Sequence, residues 1–156
     1  MVNKSAILVL IGATIALIAV FLDWVTLTIP MFAISETATG WDLVESAGRD
    51  ERPLQYLPAG IIALAAAAIV LAVLELVDKG NKFTRIATMI FGVLIFVFVV
   101  LVFNDVTAET REIFGDLLDT DLVSLTFGTG YLLAFYSAII VIIGSILEMR
   151  AARKRQ

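Results

Sequence analysis

The sequence predicts an all-α membrane protein: an antiparallel four-transmembrane-helix bundle with a small extracellular β-rich loop domain and a short amphipathic surface helix. The first observation is composition, since 60% of the 156 residues are hydrophobic and only 17% are charged. An ordinary soluble domain is about 45–50% apolar, and a chain of this length cannot hide such an excess from water. The second observation is four uncharged stretches, each close to the roughly 20 residues that cross a bilayer core.

The uncharged stretches are Ser5–Leu22, Leu54–Leu74, Ile86–Asn104 and Leu122–Leu147. We expect spans over about 5–23, 55–77, 84–104 and 126–148, forming a single domain over residues 1–156 with outer loops 24–54 and 105–125. The first span is expected to be a retained anchor because its apolar run is longer than that of a typical cleaved signal peptide. Asp23 and Trp24 follow this run where a signal peptide would carry small residues.

The distribution of basic residues predicts that both termini are cytoplasmic, with the chain in the cell membrane. That orientation places eight basic residues inside and three outside, as the positive-inside rule requires. The three outside are Arg49, Arg52 and Arg111. The basic tail Arg150–Arg155 is expected to fix topology and touch anionic lipid headgroups, not to bind nucleic acid.

Small residues spaced about four apart predict close contacts of the first, second and fourth spans, since such residues let helix backbones approach. The expected packing residues are Gly12, Ala16, Ala59, Ala63, Ala67, Gly130, Ala134 and Ala138. The third span is rich in phenylalanine and valine and is expected to face lipid more. The alternative is that alanine and glycine are simply common in membrane helices.

Several kinds of chemistry are disfavoured by what the chain lacks. With no histidine and no cysteine, it has no disulfide and none of the usual ligands for zinc, haem or iron–sulfur clusters, so we expect no cofactor. No span carries a charge near its middle, which argues against a solute pathway through one copy. Asp116, Asp119 and Asp121 do not match the spacing of a calcium-binding EF-hand loop, so we expect no metal site.

The two outer loops show different periodicities. In Trp24–Ile34 apolar and polar residues alternate with the period of a β-strand, and Ser35–Gly40 is interpreted as a polar turn. Trp24 and Trp41 are expected at the membrane interface, which suits flat rings with one N–H donor. In the second loop, Ile113, Phe114, Leu117 and Leu118 share one helical face opposite acidic residues, which predicts the amphipathic surface helix.

The first loop has Trp24 just beyond the first span, the pair Gly40-Trp41 later, and Arg52 near the second span. With the predicted topology, this arrangement resembles the claudin and peripheral-myelin-protein superfamily. That family's Leu between the Gly and Trp is absent here, as are both of its loop cysteines. The resemblance implies a left-handed antiparallel four-helix bundle with an outer β-sheet, acting through lateral and surface contacts without chemistry.

The sequence therefore favours a non-enzymatic multi-pass membrane protein that acts in structural, assembly or cell-surface interactions through helix packing and acidic outer loops. Expected partners are the lipid bilayer, other membrane protein subunits or the chain itself, and an envelope or neighbouring-cell partner. The alternatives are an accessory subunit of a larger membrane complex and an oligomeric pore lined by loop carboxylates. An enzyme is least favoured because no pair of candidate acids and bases has a diagnostic spacing.

Overall fold

A computed structural model describes residues 4–50, 53–77, 79–115 and 122–153. This part of the chain is mostly helical and contains one small sheet. The helices are α1 (Lys4–Ala19), α2 (Gly40–Asp50), α3 (Leu57–Leu76), α4 (Lys82–Phe114) and α5 (Thr129–Arg153). The strands are β1 (Asp23–Ile29), β2 (Ile34–Thr39) and β3 (Ser124–Phe127), and single 3-10 turns occupy Pro30–Phe32 and Pro53–Tyr56.

Three helices, α3, α4 and α5, are long and apolar enough to cross a membrane. This confirms the predicted membrane character of the chain. The fourth apolar helix, α1, has 16 residues and so a length of about 24 Å at 1.5 Å per residue.

The four long helices form a ring in which each contacts two neighbours: α1 and α4 both lie between α3 and α5. Adjacent helices run antiparallel. The greater exposure expected for the third span holds against α5 but not against α3: 28% of the apolar stretch of α4 is buried inside the protein, as in α3, compared with 39% in α5. Val93, Val97 and Leu101 of α4 are exposed. On its packed side, the Phe96 ring lies 5.1 Å from that of Phe135 on α5.

The predicted small-residue contacts are present on α1 and α5. Gly12 and Ala16 are buried, and so are Gly130, Ala134 and Ala138.

On α3 the predicted stripe is displaced. Ala63 is exposed and Ala59 and Ala67 are only half-buried. The buried positions are instead Ile61, Ala65, Ala68, Ala72 and Glu75, with Pro58 near the start of the helix. Five of the six residues from 63 to 68 are alanine, so a spacing of four fits more than one face and the sequence does not distinguish them.

The three strands form one antiparallel sheet in the order β2-β1-β3. The predicted strand after the first span is confirmed as β1. The predicted polar turn at Ser35–Gly40 is wrong: the reversal is at Pro30–Phe32, and Ile34–Thr39 is an edge strand whose exposed faces allow polar residues. β3 begins in the second predicted loop and ends at Phe127, inside the predicted fourth span, so both loops contribute to the same sheet and α5 begins three residues later than predicted.

The amphipathic surface helix is not separate in the described chain. Residues 109–114 are the last turns of α4, which continues without interruption past the predicted end of the third span. No glycine or proline between Asn104 and Phe114 would break the helix, and Gly115, with φ of 52°, ends it. Residues 116–121, with Asp116, Asp119 and Asp121, lie outside the described residues, as does Arg52.

Candidate functional site

The two ends of the helix ring carry different structures. We call the end with β1, β2, β3 and α2 the sheet end, and the opposite end, with Glu75, Thr84, Arg85 and Glu148, the charged end. Each end contains some residues that were expected at a membrane boundary and others that the sequence did not indicate.

Trp24 is fully buried at the sheet end, where its ring packs inside the protein. Its indole Nε1 donates a hydrogen bond to the carbonyl oxygen of Ala19 at 2.7 Å. The last carbonyls of a helix have no partners within the helix, so this bond satisfies one at the end of α1. The Trp24 carbonyl in turn accepts a bond of 2.8 Å from the backbone N–H of Gly128, next to β3.

Two glycines provide the space for the Trp24 ring. A Cβ atom added at Gly40 would lie 2.9 Å from Trp24 Cε2, and one at Gly130 would lie 2.8 Å from Trp24 Cδ1. Of the predicted loop residues, the structure thus brings together Trp24 and Gly40. Gly130, predicted only as a helix contact, borders the same space around the Trp24 ring.

Trp41 lies outside the space that Trp24, Gly40 and Gly130 form. Its side chain is 39% exposed, and its ring centroid lies 6.0 Å from that of Phe21. Its Nε1 donates to Glu45 Oε1 at 2.9 Å, one turn along α2. Trp41 therefore sits on the surface of the sheet end, whereas Trp24 is part of its interior.

A layer of aromatic rings fixes the sheet to the helices. The Phe127 ring of β3 lies 4.5 Å from Phe103 on α4 and 5.0 Å from Tyr131 on α5, measured between centroids. The edge of the Trp24 ring meets Tyr131 at 6.0 Å. Strand pairing and ring burial thus hold the sheet in a chain that has no cysteine.

The β1–β2 hairpin ends in exposed apolar side chains. Met31 is 74% exposed and Phe32 66%, and Ile34 beside them is also exposed. We call Pro30–Ile34 the hairpin tip. Large apolar side chains that lie together in the open mark contact surfaces more often than isolated ones do.

At the charged end, the buried carboxylate of Glu75 is held by two side chains of α4. Arg85 Nε lies 3.2 Å from both carboxylate oxygens, and Arg85 Nη2 donates to Oε2 at 3.2 Å. Thr84 Oγ1 donates to Oε1 at 2.7 Å. A capping box between Asn81 and Thr84 begins α4 and so fixes the position of Thr84.

A second carboxylate, Glu148 of α5, lies in the same region. It is 2% exposed, and among the described residues no group forms a hydrogen bond with its Oε1. The charges of Glu75 and Arg85 both act on it. This cluster is not among the residues predicted from the sequence. The signal for it is an acidic residue at the end of an apolar run, a costly placement that usually has a partner or a role.

No His, Cys, Asp or Glu cluster in the described ranges could hold a metal ion. Comparison of the chain with protein-family models, with curated proteins and with solved structures gives no match. The claudin-like resemblance therefore stays a prediction, and function has to be argued from the geometry of the two ends.

Proposed function

We propose that this chain is a non-enzymatic protein that crosses the cell membrane four times and binds another protein through the hairpin tip. The first step concerns α1. It lies along α5, with the Ser5 carbonyl beside Gly144 at one end and the Ala19 carbonyl beside Gly130 at the other. Because α5 is long enough to cross a membrane, a helix packed along this length of it occupies the same depth.

The apolar length of the first segment also exceeds that of α1 itself. Val20, Phe21 and Leu22 follow the helix, so the stretch between Lys4 and Asp23 carries no charge. Phe21 and Leu22 are exposed, which suits contact with lipid near a membrane boundary. These features support α1 as the fourth span.

Orientation follows from the charges at each end. The charged end carries Lys79, Lys82, Arg85, Arg150 and Arg153. The positive-inside rule then favours this end as cytoplasmic and the sheet end as extracellular.

The observation that carries the functional proposal is an exposed apolar tip on a sheet that is fixed to the membrane helices. Because β1 follows α1 closely and its Trp24 is buried against the end of α1 and against α5, the hairpin has a defined position before any partner arrives. Such preorganisation reduces the entropy lost on binding. We therefore expect the tip to contact a protein, either an envelope or neighbouring membrane protein or a second copy of this chain.

Photo-crosslinking in intact cells tests this proposal. A photoreactive amino acid at Phe32 should give a discrete protein adduct, while the same group at Glu36, exposed on β2, should give little. The double substitution Met31→Ser and Phe32→Ser should abolish adduct formation from a reporter placed at Ile34 without unfolding the chain, because both residues are exposed.

The alternative role as an accessory subunit predicts a different pattern. A crosslinker at Val97, on the exposed face of α4, would then give the main protein adduct and Phe32 would give none. That result, or adducts with lipid alone from Phe32, would overturn the proposed role of the hairpin tip.

A further inference from the structure

A basic cavity opens between α4 and α5 at the charged end, with a volume of about 270 Å³. Its lining residues are Lys82, Arg85, Ile86, Met149, Ala152 and Arg153. Three of the six are cationic and the other three are apolar. The cavity therefore suits an anionic group that is attached to an apolar one.

Most of the cationic donor groups in this cavity have no acidic partner among the described residues. Among the described residues, no acidic group forms an ion pair with Lys82 or Arg153. Arg85 binds Glu75 through Nε and Nη2, and within the same ranges no group accepts a hydrogen bond from its Nη1. Glu75 thus holds the guanidinium in place and leaves one donor nitrogen unused. Even with Glu75 and Glu148 both ionised, the three cations and two carboxylates carry a net charge of +1.

A second, wholly apolar groove of about 540 Å³ lies between α3 and α4. Its lining residues are Ala67, Val70, Leu71, Phe83, Ile86, Ala87, Ile90 and Phe91. Ile86 lines both the basic cavity and this groove, so the two are adjacent across one side chain of α4. A free anion would occupy only the basic cavity and would leave the apolar groove empty.

We propose that this is a binding site for an anionic glycerophospholipid. The phosphate and headgroup lie among Lys82, Arg85 and Arg153, and one acyl chain crosses Ile86 into the groove between α3 and α4. The placement agrees with the general occurrence of basic pockets between transmembrane helices that hold lipid headgroups. The ligand is a bilayer component, so the site is independent of any protein bound at the hairpin tip.

The headgroup half of the proposal is tested with the purified full-length chain in detergent, by native mass spectrometry with chain-matched phosphatidylglycerol and phosphatidylcholine. The wild type should bind phosphatidylglycerol more tightly. Each cation near a membrane surface contributes about 1 kcal/mol, so Lys82→Gln and Arg153→Gln should each weaken phosphatidylglycerol binding about fivefold. Lys79→Gln, in the adjoining turn but outside the cavity, should leave it unchanged. Equal affinity for both lipids, or equal effects of all three substitutions, would overturn the proposal.

The acyl half is tested by filling the groove. Val70 lines it and Val73, one turn further along α3, does not, although both side chains are exposed. Val70→Trp should weaken lipid binding several-fold while Val73→Trp should not, and a large excess of inorganic phosphate should displace little lipid. Displacement by phosphate together with no effect of Val70→Trp would show an anion site only, and would overturn the lipid assignment.

Discussion

The sheet end and the charged end hold the same four helices by opposite means. At the sheet end, Trp24 is buried with Val20 and Val25, and the partly buried rings of Tyr131 and Phe127 pack beside them. The indole N–H of Trp24 donates to a backbone carbonyl. At the charged end, the fixed elements are a carboxylate and a guanidinium in contact. Apolar burial organises one end, and charge pairing the other.

The two ends also differ in how far apart along the chain their partners are. Thr126 Oγ1 donates to the Thr26 carbonyl at 3.4 Å across 100 positions, whereas Glu75 and Arg85 are ten positions apart. Closing a short loop loses less entropy than closing a long one. The ion pair of Glu75 and Arg85 can therefore form with α3 and α4 alone, whereas the sheet needs β1 and β3 from distant parts of the chain. Substitutions at the sheet end should accordingly show the larger effects on global order.

The largest effect is expected from Trp24→Ala. Removing a fully buried tryptophan leaves a cavity, and the Ala19 carbonyl keeps only the 3.2 Å bond from the Leu22 N–H, so the free energy of unfolding should fall by about 3–5 kcal/mol. Unfolding in detergent gives the value. Limited trypsin digestion should show faster cleavage after Arg49 in the variant, because the first loop loses its anchor.

Trp41→Ala is the matched control for this substitution. Its ring is partly exposed and its indole N–H bonds only to Glu45, so the expected loss is below about 1 kcal/mol. If Trp41→Ala were as destabilising as Trp24→Ala, the division between a buried anchor and a surface ring would be wrong.

The contrast between the two tryptophans shows what the sequence could and could not provide. Alternation after the first apolar run predicted β1, and spacing predicted some of the buried residues of α1 and α5, namely Gly12, Ala16, Gly130, Ala134 and Ala138. Both tryptophans, however, were expected at the interface from residue type alone, since each is a flat ring with one N–H donor. The burial of Trp24 depends on Gly130 of α5, more than a hundred positions further along the chain, and such a contact has no local signal.

The failures on α3 and α4 have similar causes. In a helix that is apolar on all sides, periodicity cannot identify the packed face, so the stripe through Ala63 could not be told from that through Ala65 and Ala68. Charged residues after Asn104 resemble a loop in composition, yet nothing in them stops a helix that is already formed. The edge strand β2 is exposed on both faces, which removes the alternation that would have predicted it.

The next largest effect is expected from Arg85→Gln. It removes the positive partner of a buried carboxylate, and breaking such a pair from one side leaves a charge without compensation. The free energy of unfolding should fall by about 3 kcal/mol. Combining Arg85→Gln with Glu75→Gln removes both charges and should recover part of this loss. A double variant as unstable as the single one would mean that the ion pair does not determine the stability of this end.

The smallest effect separates rigid from adaptable contacts within the helix ring. In Gly130→Ala the new Cβ would lie 2.7 Å from the Ala19 carbonyl oxygen and 2.8 Å from that of Leu22, and neither backbone group can move without shifting the end of α1. In Gly60→Ala the new atom would meet only the outer ring atoms of Phe98, which can turn aside. Replacing glycine by alanine in a helix also reduces the entropy of the unfolded chain, a gain of about 0.4–1 kcal/mol common to both variants. We therefore expect Gly130→Ala to lower the free energy of unfolding by about 1–3 kcal/mol and Gly60→Ala to leave it near the wild-type value.

The fluorescence maximum of the buried Trp24 gives a second measurement, since only the change at Gly130 touches the indole. Equal losses in the two variants, with no spectral difference, would show that the contact at Gly130 is no more tightly fitted than the α3–α4 contact at Gly60.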